Sequence, residues 1–164
     1  MSEEYKIPAK THIGHVHLKV SDIKRSLGFY CDLLGFELQM MYGDSAAFIS
    51  AGGYHHHIGL NTWYSKGSHP ATQRSVGLFH TAIVYPERKD LAAIFARLRE
   101  AKYPFTGASD HGVSEALYLD DPDGNGVELY WDRPKELWPQ KADGSLEMFT
   151  LPLDIEDLLK ELEK

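Results

Sequence analysis

The first half of the chain alternates like a strand, becomes helical, and then alternates again. In residues 12–20, His15 and His17 share one face and aliphatic side chains share the other, which is the two-residue period of a β-strand. The Ser21-Asp22 pair supplies an N-cap for a helix whose apolar stripe runs to Leu34. Further strands are predicted over residues 36–42, 46–50 and 54–62. Together these elements make a βαβββ unit.

A second unit of the same kind follows a polar, turn-rich loop at residues 63–76. Residues 78–85 predict a strand, and Pro86 suits the first turn of a helix with its apolar stripe at 91–98. After strand material near Phe105, a hairpin is predicted with strands 115–120 and 127–131 and a turn rich in Pro, Gly and Asn between them. His80 lies about 65 residues after His15, so the chain is predicted to contain a weak internal repeat.

The repeat predicts an α+β fold with one domain in residues 1–134, made of two βαβββ modules at about 12–62 and 78–131. A single module leaves a sheet face and an edge uncovered. We therefore expect the modules to pair into a curled, cup-shaped mixed sheet around a metal site, within the chain or by exchange between two chains. Residues 135–164 are predicted to form a tail that ends in a short amphipathic helix, packed on its own domain.

Composition and charge exclude several classes of protein. The net charge of −7 argues against a nucleic-acid partner, and no apolar run approaches the length that crosses a membrane. The acidic N-terminus has no apolar core and does not predict a signal peptide. The single cysteine, Cys31, rules out an internal disulfide framework. We expect a cytoplasmic protein.

The candidate chemistry lies at matching positions of the two modules. Glu128 is a carboxylate in an otherwise apolar strand, where it either faces solvent or is compensated by a metal ion. Superimposing the modules pairs His15 with His80 and Gly59 with Glu128. Two histidines and one carboxylate with open coordination positions are typical of non-haem Fe(II) oxygenases, and zinc could also bind there.

Three segments, HVHLKVSD from His15, HTAI from His80 and DPDGNGVELY from Asp121, resemble the vicinal oxygen chelate superfamily. That superfamily contains glyoxalase I, extradiol ring-cleaving dioxygenases, fosfomycin-resistance enzymes and bleomycin-binding proteins. The resemblance covers residues 12–131. More narrowly, GHVHLKVSD, YHHHIGLNTW and DHGVSEALYLDDPDGNGVELYWDRP resemble catechol 2,3-dioxygenase-like proteins, in a single-domain form.

The resemblance implies that His15, His80 and Glu128 hold one divalent metal ion. Fe(II) is the expected metal, and Mn, Zn or Ni are alternatives. The fourth ligand position of the superfamily corresponds to Gly59, which has no side chain to coordinate with. In the extradiol enzymes a histidine three positions before this site is the acid–base catalyst, and that position is His56 here.

The resemblance also assigns two residues of the second module. Tyr118, ten residues before the metal-binding glutamate, is implied to contact the bound catecholate, and His111 is implied to line the site. For the acid–base residue, ideal strand alternation would instead bring His57 to the ligand face. His56 reaches that face only if the Gly52-Gly53 pair or a bulge disturbs the start of the strand. We expect His56 to fill the role.

The predicted function is therefore extradiol cleavage of a catechol-type substrate with O₂, by a metal-dependent enzyme that is either a monomer or a homodimer. A glyoxalase-type lyase usually needs a fourth ligand, which Gly59 cannot supply. A thiol transferase of the fosfomycin-resistance type uses the same ligand set but does not require His56 and Tyr118. A non-catalytic metal- or ligand-binding protein is the remaining alternative.

Overall fold

A computed structural model describes residues 4–72 and 74–164. The first module consists of β1 Val16–Lys19, α1 Ile23–Leu27 with a π-helical continuation Gly28–Leu33, β2 Glu37–Tyr42, β3 Ala46–Ser50 and β4 Ile58–Asn61. Its four strands form an open mixed sheet in the order β1-β4-β3-β2. β1 pairs parallel with β4, and the other neighbours pair antiparallel.

The second module repeats this plan and gains one strand from the tail. It consists of β5 His80–Val84, α2 Arg88–Glu100, β6 Gly107–Asp110, β7 Ser114–Asp120 and β8 Gly126–Asp132, with β9 Leu151–Pro152 added later in the chain. The order in this sheet is β5-β8-β7-β6-β9. The α+β class and the two βαβββ modules are confirmed, and each sheet remains open.

A single cluster of buried apolar side chains contains residues of both modules. In β1, Leu18 is 6% exposed and belongs to the cluster, whereas its neighbours His17 and Lys19 are exposed. From α2, Leu91 and Leu98 are completely buried in the same cluster. Burial of one face fixes the strand register, because a slip of one residue would turn the polar face inward.

The internal repeat extends to the pairing of individual residues. In the first module His17 lies opposite Gly59, and in the second module Ala82 lies opposite Glu128. In each module the candidate ligand histidine comes two residues before the first of these partners. Gly59 is therefore the structural counterpart of Glu128, as the superposition of the two sequences predicts.

The modules meet through helices and turns. The Asp121 carboxylate accepts a hydrogen bond of 3.1 Å from the hydroxyl of Tyr30. The Arg97 side chain of α2 donates to the carbonyl of Leu33, at the end of the first module's helix, over 2.7 Å. No strand of one described sheet pairs with a strand of the other, so the two sheets stay separate.

The predicted N-terminal boundary of one strand was wrong. The strand expected over residues 54–62 begins only at Ile58. Both glycines of the Gly52-Gly53 pair have positive φ, so the chain turns there, and the histidines that follow lie in irregular backbone. Strand β9 was not predicted. Gln73 of the predicted loop and residues 1–3 of the acidic N-terminus lie outside the described residues.

The tail returns to the second module. A 3₁₀ turn spans Lys135–Leu137, and the predicted helix appears as α3 Ile155–Leu159 with a 3₁₀ extension Lys160–Glu163. Asp154 caps α3, because its carboxylate accepts the N–H of Asp157 at 2.9 Å. Leu158 is fully buried in the common core. Among the described residues, the helices are too short or too polar to cross a bilayer.

Candidate metal and substrate site

His80 and Glu128 meet at the β5–β8 edge of the second sheet. β5 begins at His80, and the parallel register brings β8 beside it. The Nε2 atom of His80 lies 2.9 Å from Oε2 of Glu128, whose side chain is 13% exposed. A carboxylate sheltered to this extent needs a partner, and the imidazole N–H supplies one.

Tyr118 and His111 extend this pair into a row. Tyr118 lies opposite Glu128 in the antiparallel β7–β8 register, and its hydroxyl donates to Oε1 of Glu128 over 3.0 Å. The same hydroxyl lies 2.7 Å from Nε2 of His111. Burial, followed by the charge of Glu128, raises the pKa of Tyr118 to about 12. The four side chains His80, Glu128, Tyr118 and His111, here called the site row, therefore follow one another at hydrogen-bond distance.

The first module contributes a separate pair, His15 and His56. Their ring centroids are 4.4 Å apart. Burial, followed by the proximity of His15, lowers the pKa of His56, so the ring is neutral near pH 7 and can accept a proton. His57 points elsewhere: it stacks on Tyr54 at 4.8 Å, and its Nδ1 accepts the N–H of Ala51 at 3.3 Å. His56, not His57, is thus the one beside the candidate ligand.

At Gly59, the predicted counterpart of the superfamily's fourth ligand, a neighbouring ring occupies the space that a side chain would need. A Cβ atom built on Gly59 would lie 2.8 Å from Cδ2 of His17, closer than such atoms approach. The His17 ring occupies this space and packs edge-on against Trp63 and Phe48, with centroid distances of 5.5 and 5.9 Å. Burial, followed by the proximity of His15, lowers the pKa of His17. Sequence reasoning gave His17 no role, although its strand position opposite a glycine was a usable signal.

The donor atoms fit a metal ion only in part within one chain. Two ligands at neighbouring corners of an octahedron, each about 2.1 Å from the ion, lie about 3.0 Å apart, and the His80–Glu128 separation is 2.9 Å. His15, the third predicted ligand, instead lies against His56. Over residues 4–72 and 74–164, no three His, Cys, Asp or Glu side chains converge closely enough to hold a metal ion. The three predicted ligands are therefore divided between the modules, with His80 beside Glu128 and His15 beside His56.

A cavity of ≈ 440 Å³ opens beside the site row. His80, Tyr118, Gly107 and Phe79 are among the residues that line it. Pockets that bind small molecules range from about 300 to about 1,000 Å³, so a single substituted aromatic ring would fit. Phe79 is 88% exposed, which leaves this wall without a covering surface.

Comparison with known proteins identifies the family. Residues 12–129 match the family model described as the Glyoxalase/Bleomycin resistance protein/Dioxygenase superfamily. This match covers well over half of the chain, and the chain belongs to this superfamily. A glyoxalase/dioxygenase from Nostoc punctiforme of known structure has the same fold, with a TM-score of 0.65 at 16% identity over 82% of this chain and 100% of its own.

Two curated relatives are more similar in sequence. The chain is 44% identical over 152 residues to a catechol-2,3-dioxygenase of Bacillus subtilis (strain 168), covering 92% of this chain and 52% of that protein. It is 32% identical over 121 residues to biphenyl-2,3-diol 1,2-dioxygenase 3 of Rhodococcus globerulus, covering 73% of this chain and 63% of that protein. The chain thus spans between half and two thirds of the length of these relatives.

Proposed function

We propose that this protein is a metal-dependent extradiol dioxygenase that cleaves a catechol-type substrate with O₂, with Fe(II) as its metal. The observation that carries the proposal is the site row, in which a tyrosine and a histidine adjoin two side chains of metal-ligand type. The similarity to a catechol-2,3-dioxygenase supports the same reaction class. His15, His80 and Glu128 are the proposed ligands.

The separation of His15 from the site row calls for a second copy of the chain. Each chain offers one His15–His56 surface and one His80–Glu128 surface, and no third ligand lies beside the latter among the described residues. Two copies related by a two-fold axis would place each first module against the partner's second module and complete two sites at once. We propose that the protein acts as such a homodimer.

Exposed apolar side chains support this pairing. All six residues of β2 are exposed, including Met40 at 52% and Tyr42 at 63%. On the second module, Leu78 and Phe79 precede β5 and are 61% and 88% exposed. An apolar edge strand and an apolar segment next to a ligand surface are the features that a symmetric partner would cover.

The chain's own residues then have defined roles. The Tyr118 hydroxyl, held between Glu128 and His111, is placed to donate a hydrogen bond to a substrate oxygen bound next to His80. His111 can take up or return a proton through the tyrosine oxygen. His56, neutral near pH 7, is the proposed acid–base residue of the opposite surface. When bound, Fe(II) would pass electrons from the ring to O₂ and hold both reactants together.

The two metalloenzyme alternatives differ from this proposal at specific positions. A glyoxalase-type lyase would need a coordinating side chain at position 59, where this chain has a glycine and the His17 ring lies 2.8 Å from the place of a Cβ atom. A thiol transferase would use the ligand set but would have no need of Tyr118 or His56. The activity test therefore compares oxygen uptake on a panel of catechols with turnover of a hemithioacetal and of a thiol with an epoxide, using protein reconstituted anaerobically with Fe(II).

Oxygen uptake with a yellow ring-cleavage product is the expected result. Replacement of His56 by Phe should reduce turnover by about 10²-fold or more while metal content stays the same, since acid–base residues contribute about 10²–10⁴-fold. His57→Phe is the matched control and should retain activity. An Fe(II)-loaded protein that leaves every catechol unchanged but turns over one of the other substrates would refute the dioxygenase proposal.

Subunit complementation tests the shared site. His15→Ala and Glu128→Ala homodimers should each be inactive. In a mixed dimer, one site loses both residues and the other keeps both, so an equal mixture after subunit exchange should recover about a quarter of the wild-type activity, because half of the dimers are mixed and half of their sites are intact. A site contained in one chain would recover none.

A further inference from the structure

A segment of the C-terminal tail, which belongs to neither module, contacts the site row at His111. The tail segment, residues 149–152, runs beside the end of β6 and forms β9 there. Its Phe149 carbonyl oxygen lies 3.0 Å from Nδ1 of His111. The Phe149 N–H donates in return to the carbonyl of His111 over 3.3 Å. His111 is thus bonded to the tail segment through its ring and its backbone.

These contacts determine where the ring proton of His111 lies. A backbone carbonyl can only accept, so the 3.0 Å contact with Phe149 places a proton on Nδ1 of His111, and the Thr150 hydroxyl, 3.3 Å from the same nitrogen, then accepts from it as well. In the neutral ring Nε2 is then the acceptor, and it faces the Tyr118 oxygen at 2.7 Å. Tyr118 has one hydroxyl proton, so with Nε2 of His111 as an acceptor it can donate to His111 or to Glu128 but not to both at once. The tautomer of His111 therefore decides whether a proton acceptor or a donor faces the tyrosine.

We propose that the tail segment is a positioning element of the site, in which the Phe149 carbonyl fixes the tautomer and direction of His111. The tail segment acts through His111, whose Nδ1 both the Phe149 carbonyl and the Thr150 hydroxyl contact. The proposal deepens the proposed function, on which its catalytic consequence depends. Its structural content, the protonation of Nδ1 by a carbonyl partner, can be measured without metal or substrate.

Gly112 makes the close approach of the tail segment possible. It adopts a φ of +78°, which disfavours any other residue. A Cβ atom at this position would lie 2.7 Å from the Phe149 ring and 2.9 Å from the side chain of Pro139. A residue larger than glycine here would push the Phe149 ring away, and with it the carbonyl that holds His111.

Ion pairs that share the buried carboxylate of Glu115 fix both ends of the tail to the strands that carry the site. Arg133, where the tail begins, bonds to both carboxylate oxygens of Asp110 at 2.6 and 3.0 Å and to Glu115 at 2.7 Å. Arg88 joins Glu115 at 2.8 Å to Asp157 of α3 at 2.9 Å. Glu115 is 4% exposed and is the common partner of both arginines. The tail segment between these two anchors is therefore held against β6 from both sides.

Nuclear magnetic resonance of the metal-free protein, labelled with ¹⁵N at histidine, tests the proposal. In the wild type, Nδ1 of His111 should be protonated, with slow exchange of its proton. Gly112→Ala should speed that exchange by about tenfold or more, because the displaced carbonyl no longer protects the proton. Gly144→Ala is the matched control, since Gly144 also has positive φ, at +81°, but a Cβ there meets nothing within 4 Å.

A second variant, Phe149→Gly, tests the proposal independently in case Gly112→Ala does not fold. Phe149→Gly leaves the loop after β6 unchanged, removes the ring that packs over Gly112, and should also speed exchange at His111. With the Fe(II)-loaded protein, both variants should lower kcat more than they raise KM, at unchanged metal affinity. A wild-type His111 protonated only on Nε2, or exchange equal in Gly112→Ala and Gly144→Ala, would overturn the proposal. An inactive wild type with protected Nδ1 would instead refute only the proposed function.

Discussion

Replacing Asp121 by alanine should lower the free energy of unfolding by about 3–5 kcal/mol. Asp121 is 4% exposed, and its carboxylate accepts the backbone N–H groups of Asp123 and Asn125 at 2.9 Å, the Asn125 side-chain amide at 2.9 Å and the Tyr30 hydroxyl at 3.1 Å. Hydrogen bonds to a charged group contribute about 1.5–3 kcal/mol each. Their simple sum would overstate the loss, because water can reach part of the opened turn.

The consequence extends to the site. The turn joins β7 to β8, and the register of that hairpin sets Tyr118 opposite Glu128. Urea-induced unfolding at fixed protein concentration measures the loss. Tyr30→Phe removes only the hydrogen bond from the Tyr30 hydroxyl to Asp121 and should cost about 1 kcal/mol. Asp143→Ala is the matched control: Asp143 also accepts two hydrogen bonds in a turn, from Ser145 at 2.9 and 2.6 Å, but it is exposed.

The double variant Asp121→Ala with Tyr30→Phe separates the two contributions. Both substitutions remove the same hydrogen bond between Tyr30 and Asp121. The unfolding free energies lost in the two single variants should therefore add up to about 1 kcal/mol more than the loss in the double variant. Equal losses in Asp121→Ala and Asp143→Ala would show that burial of the turn contributes nothing. If the NMR resonances of Tyr118 are unchanged in Asp121→Ala, the turn does not set the register of the hairpin.

Other predictions concern the core and the response to pH. Leu158→Ala should cost about 2–5 kcal/mol in urea unfolding, because the side chain is completely buried, whereas Leu162→Ala, 40% exposed, should cost under about 1 kcal/mol. Burial, followed by Asp90, raises the pKa of Tyr85 to about 12; the folded state then keeps a proton that the unfolded state loses above about pH 10, so stability should fall with rising pH by up to about 1.4 kcal/mol per unit. Tyr85→Phe should remove this contribution and make the slope shallower between about pH 10 and 12, while Tyr118 and Tyr103, whose pKa values are also raised to about 12, keep theirs; an unchanged slope would contradict the assignment. The Arg133 hydrogen bonds depress the pKa of Asp110, so its stabilising contribution should be lost as acid protonates it, and Asp110→Asn should unfold with a weaker dependence on acidic pH.

Much of the fold follows from the sequence because its signals are local. Period-two alternation, the Asp22 and Asp154 caps and the turn after Asp121 each depend on residues within a few positions of one another. The late start of β4 was missed because residues 54–57 were included in the strand that follows them. Gly52 and Gly53 lie directly before these residues, and their positive φ turns the chain there. Alternation alone cannot reveal that the backbone has left the extended conformation.

The site was predicted less completely because its contacts join distant segments. The bond from His111 to Phe149 crosses 38 residues, and the pair of Arg88 with Asp157 crosses 69. No periodicity links such positions. The resemblance to known dioxygenases predicted His15, His80 and Glu128 as ligands, but only the structure reveals that His80 adjoins Glu128, that His15 adjoins His56, and that no three such side chains converge among the described residues.

The packing of His17 over Gly59 constrains how this chain could evolve toward four-ligand chemistry. A single codon change to an acidic residue at position 59 would introduce a Cβ atom 2.8 Å from the His17 ring, so that ring would have to leave its present position. Shrinking position 17 first gives up only ring packing against Trp63 and Phe48. Position 59 can therefore become larger only if the His17 ring moves aside or position 17 becomes smaller.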